Sequence, residues 1–203
     1  MKKKITIIGA SGHGKVVADI ARLNGYEYIA FLDDNDKLES CGNYPVIGRS
    51  YDVQSVEGDL FVAIGNARIR RQMIEIIDET RIPTLCHPNA IIANDVSIGF
   101  GTVIMPGAIV NPGSTIGNGC ILNTGSSVDH DCIIHNYVHV AVGAHICGNV
   151  SVGDNSWIGA GATISNNVRI ENNCTIGAGA LVIHDALTEG VYIGIPAKRR
   201  REV

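Results

Sequence analysis

The sequence has few aromatic residues and no long apolar segment. Hydrophobic residues make up 45% of its 203 residues, but aromatic residues make up only 5%, which favours a core of aliphatic side chains. No run of 18 apolar residues occurs, so we expect no transmembrane helix. The segment MKKKITIIGASGHGK begins with lysines like a signal peptide, but its apolar run is too short for one.

The sequence also lacks a strong charge of either sign and lacks any C-x-x-C motif. The formal charge is −4 and the calculated pI is about 5.9, which gives no support for a nucleic-acid partner. The spacing of the six cysteines does not indicate a disulfide or zinc framework. We therefore expect reduced thiols used for packing, in a cytoplasmic protein.

What the sequence does contain is a six-residue repeat that runs from Ala90 to Asp185. This stretch divides into sixteen consecutive hexads without a slip. The third position is aliphatic in every hexad, and the first is always Ala, Ser, Thr, Cys or Val. The sixth position is Gly, Asn or Asp except at Tyr137.

These positions predict a parallel β-helix. Residues two apart on a strand face the same side, so the first and third positions point inward. Gly, Asn and Asp tolerate positive φ, so the sixth position marks a corner. Hexapeptide repeats are typical of a β-helix, in which three hexads form one triangular coil of about 18 residues. A β-sandwich is the alternative, but it does not hold such a register for so long. The pattern does not define the handedness.

Residues 1–86 predict a separate, small parallel α/β domain, and residues 87–203 include the β-helix and a C-terminal tail. Strands are expected at residues 5–8, 28–32, 60–64 and 83–86. One helix should begin near Lys15 and another at Ala67. The inner face of the second helix is expected to contain Ile69, Met73, Ile76 and Ile77.

The glycine-rich loop after the first strand has several interpretations. Gly9-x-x-x-x-Gly14-Lys15 approaches a P-loop, but Val16 replaces the Ser or Thr that binds magnesium. The spacing G-x-x-G-x-G also differs from the dinucleotide fingerprint. A glycine turn at a helix N-terminus nevertheless presents N–H groups to a diphosphate. The structural alternative is that the glycines only permit a tight turn.

Polar residues follow two further strands of this domain. Asp33 and Asp34 follow the second strand, and Gly65 and Asn66 follow the third. Open α/β sheets bind ligands at the carboxyl ends of their strands. Together with the glycine loop, these residues favour a diphosphate-linked nucleotide sugar as the ligand.

Four histidines of the repeat occupy outward positions, namely His130, His135, His139 and His145. His130 lies between two aspartates, and a carboxylate beside an imidazole can fix its tautomer and stabilise its charged form. We therefore interpret His130 as a candidate general base. Ordinary surface histidines are one alternative. A metal site is another, although the spacings match no standard zinc pattern.

Seven motifs resemble the NeuD/PglD family of sugar acyltransferases along the whole chain: GASGHGK, FLDD, AIGN, NTGSSVDHDCII, HVAVG, CGNVSVG and GIPAKRR. The resemblance implies a nucleotide-sugar-binding domain followed by a left-handed β-helix. It also implies a homotrimer that binds acetyl-CoA between its subunits, without a metal.

The same resemblance implies a role for individual residues. His130 corresponds to the catalytic base and Asp131 to its acidic partner, where a family member carries the longer Glu. The residues implied in acetyl-CoA binding are His139, Gly148, Ala160 and Ala178, the two alanines through their backbone. The residues implied in nucleotide-sugar binding are Ser11, Gly12, His13, Asp33, Asp34 and Gly65.

The activity implied is acetyl-CoA-dependent N-acetylation of UDP-4-amino-4,6-dideoxy-N-acetylglucosamine at its 4-amino group, as in bacillosamine synthesis. N-acetylation of GDP-perosamine and O-acetylation of a sialic acid are alternatives within the family. A non-catalytic binding protein is the alternative outside it. The basic segment 198–201 has two interpretations, a contact with the 3′-phosphate of CoA or a solvated tail.

Overall fold

The computed structural model describes residues 3–200. The chain forms two compact units, Met1–Pro88 and Asn89–Val203. Across the described residues, every helix is too short or too polar to cross a membrane.

The first unit contains a five-stranded sheet with strand order β3-β4-β2-β1-β5. Strands β1, β2, β4 and β5 run parallel, and β3 pairs antiparallel with β4. The elements are β1 (Lys4–Ile8), α1 (Gly12–Leu23), β2 (Tyr28–Leu32), β3 (Ser40–Cys41), β4 (Tyr44–Gly48), β5 (Asp59–Val62), α2 (Ala67–Glu75) and β6 (Leu85–Cys86). Short 3-10 turns cover Ser50–Gln54 and Glu79–Arg81. The parallel α/β architecture predicted from the sequence is confirmed.

The predicted inner face of α2 is wrong. Ile69 and Ile76 are 47% and 53% exposed. The helix instead buries Ile74 and Arg70, and Arg70 is fully buried. Apolar spacing assigns a charged residue to solvent, whereas the Arg70 guanidinium donates hydrogen bonds to backbone carbonyls inside the domain. Only Ile77, just after the helix, is buried as expected.

The second unit is a parallel β-helix with three flat sides. Its repeat strands are two or three residues long. They are β7 (Ile91–Ile92), β8 (Ser97–Ile98), β9 (Val103–Ile104), β10 (Ile109–Val110), β11 (Thr115–Ile116), β12 (Ile121–Leu122), β13 (Ser127–Val128), β14 (Ile133–Ile134), β15 (His139–Val140), β16 (His145–Ile146), β17 (Ser151–Val152), β18 (Trp157–Ile158), β19 (Thr163–Ile164), β20 (Arg169–Ile170), β21 (Cys174–Ile176) and β22 (Leu181–Val182). Each strand pairs with the strand one coil further on, as Ile109 pairs with Ser127.

The repeat positions behave as the sequence predicts. Every first and third position from Thr102 to Val182 is buried, and those of the first two hexads are half-buried. Fourteen of the sixteen sixth positions have positive φ. These include Tyr137, at φ 59°, although bulky residues rarely adopt this conformation. The corner is therefore imposed by the repeat even where the residue type does not favour it.

The cysteines in the first position are packing residues. Cys120, Cys132 and Cys174 are buried, and all six cysteines are free thiols. The Cys120 Sγ lies 3.0 Å from the His135 carbonyl oxygen, and the Cys132 Sγ lies 3.1 Å from that of Cys147. Burial raises the pKa of Cys132 and of Cys174, so neither is suited to act as a nucleophile.

The chain ends in two further strands, β23 (Gly190–Ile193) and β24 (Lys198–Arg199). Strand β23 pairs parallel with β21, and β24 folds back antiparallel onto β23. The Arg199 Nε donates to the Glu189 carbonyl at 3.0 Å. The first part of the basic segment is therefore a strand, while Arg201 lies outside the described residues.

Candidate active site

His130 and Asp131 form a hydrogen-bonded pair at a corner of the β-helix. Asp131 occupies the sixth position with φ 57°. Its Oδ2 lies 2.8 Å from His130 Nδ1, and both side chains are exposed. When Nδ1 carries the proton, it donates to the carboxylate and leaves the lone pair of Nε2 available. The pair is therefore arranged as a general base with an orienting acid.

A second carboxylate, that of Asp129, stabilises the same corner through hydrogen bonds. Asp129 Oδ1 accepts from the His130 N–H at 2.8 Å and from Asn111 Nδ2 at 2.7 Å. The hydrogen bond to Asp131, followed by the charge of Asp129, raises the pKa of His130. The sequence did not single out Asn111. It occupies the fourth position of its hexad, as Asp129 does one coil later, and this 18-residue spacing is the signal that identifies it.

Gly148 packs against the His130 ring from the next coil. A Cβ at Gly148 would lie 2.5 Å from His130 Nε2 and 2.6 Å from its Cε1. The Asn149 N–H also donates to the His130 carbonyl at 2.9 Å. Gly148, predicted to contact acetyl-CoA, is thus placed beside the predicted base.

The other residues predicted to bind acetyl-CoA lie elsewhere on the coil. His139 is in β15, where its Nε2 lies 3.2 Å from Asn123 Nδ2 and its ring packs edge-on against Trp157. Ala160 and Ala178 are exposed on successive coils, and the Gly179 N–H donates to the Ala160 carbonyl at 2.9 Å.

Within one chain, His130 and His139 lie on different parts of the β-helix. Strands β13, β14 and β15 belong to three different sheets, which are the three sides of the prism. His130 lies at the corner between β13 and β14, whereas His139 lies on β15, the side opposite that corner.

The first unit has a cavity of about 300 Å³ at the carboxyl ends of its strands. Of the predicted nucleotide-sugar residues, Ser11, Asp33, Asp34 and Gly65 line it, whereas Gly12 and His13 do not. The other lining residues are Ile8, Gly9, Leu32, Ser50, Ala63 and Ile64. The carboxyl ends of β1, β2 and β5 therefore line the cavity, where the sequence predicted a group of polar residues.

The carboxylates of the two cavity aspartates accept hydrogen bonds from neighbouring groups of the first unit. Asp33 accepts from the Ala10 N–H at 2.7 Å and from the Asn35 N–H at 2.9 Å. Asp34 accepts from the N–H and the hydroxyl of Ser50 at 2.9 and 2.8 Å. Sequence reasoning missed Ser50 because it missed β4, which precedes it.

His13 is the second residue of α1, and its imidazole is kept neutral. Burial, followed by the charge of Arg70, lowers the pKa of His13 to about 4. Its Nε2 is buried and has no hydrogen-bond partner. Within residues 3–200, no group of three or more His, Cys, Asp or Glu side chains is arranged to hold a metal ion.

Comparison with known families agrees with this two-part organisation. The family described as PglD N-terminal domain matches residues 4–77. The family described as bacterial transferase hexapeptide (six repeats) matches residues 95–130 and 149–184. A curated relative, UDP-N-acetylbacillosamine N-acetyltransferase of Bacillus subtilis (strain 168), is 34% identical over 111 residues. The chain spans about half the length of this relative, since the alignment covers 51% of each protein.

Solved structures match over nearly the whole chain. The acetyltransferase domain of PglB from Neisseria gonorrhoeae is 39% identical, covers 98% of this chain and 100% of its own, and has a TM-score of 0.93. Another structure of that domain is a complex with acetyl coenzyme A. PerB from Caulobacter crescentus, in complex with CoA and GDP-perosamine, is 32% identical over 98% of this chain and 97% of its own, with a TM-score of 0.92.

Proposed function

The chain belongs to the NeuD/PglD family of sugar acyltransferases, and from this premise we propose that it transfers an acetyl group from acetyl-CoA to the 4-amino group of a nucleotide-linked amino sugar. The observation that carries the proposal is the exposed His130–Asp131 pair, with a separation of 2.8 Å between Nδ1 and Oδ2. Gly148 packs closely against the ring of the same histidine.

The chemistry requires a base at this position. The amine of the sugar attacks the thioester carbonyl, a C–N bond forms, and the C–S bond breaks to release the thiolate of CoA. His130 Nε2 takes the proton that the amine loses, and Asp131 stabilises the imidazolium that results. The imidazolium can then return this proton to the thiolate. We expect a direct attack without an acyl-enzyme, because the cysteines at the first positions of the repeat, Cys120, Cys132 and Cys174, face the core.

The proposed site lies between two copies in a homotrimer. His130 and Gly148 of one copy would face His139, Ala160 and Ala178 of the next. This arrangement is supported by the position of the two groups on opposite parts of the triangular coil. Cyclic symmetry would repeat the same groove at each interface.

The cavity of the first unit is the proposed site for the nucleotide part of the substrate. Its Asp33 and Asp34 carboxylates can accept hydrogen bonds from a base or ribose, and Gly65 leaves room for close approach. The six free cysteines fit a cytoplasmic enzyme.

The sugar is proposed to be UDP-4-amino-4,6-dideoxy-N-acetylglucosamine. The relative from Bacillus subtilis, whose name is UDP-N-acetylbacillosamine N-acetyltransferase, supports this choice. GDP-perosamine is the second candidate, favoured by the match to PerB in complex with that compound.

A substrate panel tests the proposal. The purified protein is incubated with acetyl-CoA and UDP-, GDP-, dTDP- or CMP-linked amino sugars, and release of free thiol is followed with DTNB. We expect turnover with a UDP-linked 4-amino sugar. Turnover only with GDP-perosamine selects the second candidate. If no amino sugar releases CoA, the proposed activity is wrong and a binding protein is the better description.

A further inference from the structure

The turn after β5 lines the cavity of the first unit, and a buried arginine donates hydrogen bonds to this turn. Arg70 lies in the first turn of α2 and is completely buried. Its Nη1 donates to the carbonyl of Ile64 at 2.8 Å and to that of Gly65 at 2.9 Å. Ile64 and Gly65 both line the cavity. The guanidinium therefore fixes the two peptide groups that follow β5.

These hydrogen bonds also set the direction of two N–H groups. In a trans peptide, the N–H points to the side opposite the C=O. Because Arg70 binds the carbonyls of Ile64 and Gly65, the N–H groups of Gly65 and Asn66 point away from it. Neither N–H donates a hydrogen bond within the part of the chain that the structure describes. Two oriented donors are thus left without a protein acceptor, and one of them, the Gly65 N–H, belongs to a residue that lines the cavity.

Gly65 has no packing reason to be a glycine. A Cβ added there would meet no atom within 4 Å, and its φ is not positive. Space beside the backbone at this position allows a ligand to approach the N–H groups closely. The N-terminus of the nine-residue α2 directly follows, and its partial positive charge favours an anion at the same place.

We propose that Arg70 is a positioning residue that orients the Gly65 and Asn66 N–H groups to bind the diphosphate of the nucleotide sugar. The inference rests on the proposed function, since a nucleotide sugar supplies the diphosphate. The positive charge of Arg70 reinforces the N–H groups, and after burial it is the second cause that lowers the pKa of His13. Arg70 itself does not need to touch the substrate.

Binding of diphosphates and of the matching nucleosides by Arg70→Met tests the proposal. The probes are UDP, UMP and uridine, and the guanosine series, measured by calorimetry with the full-length protein. We expect Arg70→Met to weaken diphosphate binding by roughly 10-fold or more, since hydrogen bonds to charged groups are the strong ones. Uridine or guanosine affinity should change by less than about twofold, because the base and ribose contacts remain.

Arg71→Met is the matched control. Arg71 is on the same helix but is exposed and pairs with Glu75 at 2.7 Å, so its removal should leave every affinity unchanged. In steady-state kinetics, Arg70→Met should raise the KM for the nucleotide sugar and leave the KM for acetyl-CoA unchanged. Arg70→Lys keeps the positive charge and Arg70→Gln keeps a neutral hydrogen-bond donor, so the two variants separate the effects of charge and hydrogen bonding. Both replace Arg70→Met in every comparison if that variant does not fold.

Equal loss of diphosphate and nucleoside affinity would overturn the inference, because it would show a purely structural role. Unchanged diphosphate affinity in Arg70→Met would also overturn it, while leaving acetyl transfer intact. If the wild-type protein binds no nucleotide at all, the proposed nucleotide-sugar substrate fails and the inference fails with it.

Discussion

Gly148 lies so close to the Nε2 and Cε1 atoms of the His130 imidazole that a Cβ at Gly148 would be 2.5 Å from His130 Nε2. Gly148→Ala should therefore push the ring away from its position beside Asp131. We expect kcat to fall by roughly 10- to 100-fold, since misplacement of about 1 Å can have this effect. Steady-state kinetics checks the prediction, with the thermal midpoint as a control for folding. Normal kcat in a folded Gly148→Ala protein would show that the ring position does not matter.

Removal of the imidazole should abolish general-base catalysis. His130→Ala is expected to lower kcat by about 10²-fold or more, with acetyl-CoA affinity nearly unchanged in calorimetry. His135→Ala is the control, because His135 is also exposed on the β-helix. Wild-type turnover by a folded His130→Ala protein would remove His130 from the mechanism.

The pH dependence should report the two carboxylates around His130. Asp131 is the main cause of the raised His130 pKa, and Asp129 adds to it. A general base works when it is deprotonated, so activity rises with pH through this pKa. In Asp131→Asn the rise should move to lower pH and reach a lower plateau. Asp129→Asn should produce a smaller shift in the same direction. A shift to higher pH in either variant would contradict the assignment.

His13 should make the first domain less stable in mild acid. Its pKa is about 4 in the folded protein, below the ordinary value of 6.5, so the unfolded chain binds the proton first. The contribution of His13 to the free energy of unfolding is fully present above pH 6.5. It decreases by on the order of 3 kcal/mol as the pH falls toward 4. His13→Asn should remove this dependence, as measured by urea unfolding between pH 7 and 4. An identical pH profile in the variant would show that His13 is not the group responsible.

The β-helix could be predicted almost completely, because its signal is local and repeats sixteen times. Each strand and corner occurs in every hexad, so single exceptions such as Tyr137 do not disturb the register. The His130–Asp131 pair followed directly from adjacent positions in one hexad. The supporting contact from Asn111 was missed, because it depends on the alignment of successive coils.

The first domain was predicted less completely, for physical reasons. Strand β4 is only partly buried, and Pro45 separates its apolar residues, so the signal for a strand is weak. Arg70 is buried because two carbonyls accept its hydrogen bonds, and hydrophobic periodicity cannot register such a contact. The cavity residue Ser50 depends on the missed strand.

Mixed oligomers test most directly the proposal that each active site is shared between two copies of the chain. His130→Ala removes the base, and Ala160→Trp should block the acetyl-CoA surface on the other side of the coil, where Ala160 is exposed. Each variant alone is expected to be inactive. When differently tagged copies are assembled together in equal amounts, about a quarter of the interfaces should contain two intact halves, and activity should return to a comparable fraction of the wild type. Mixed oligomers that remain as inactive as their parents would show that both halves of the site come from one chain.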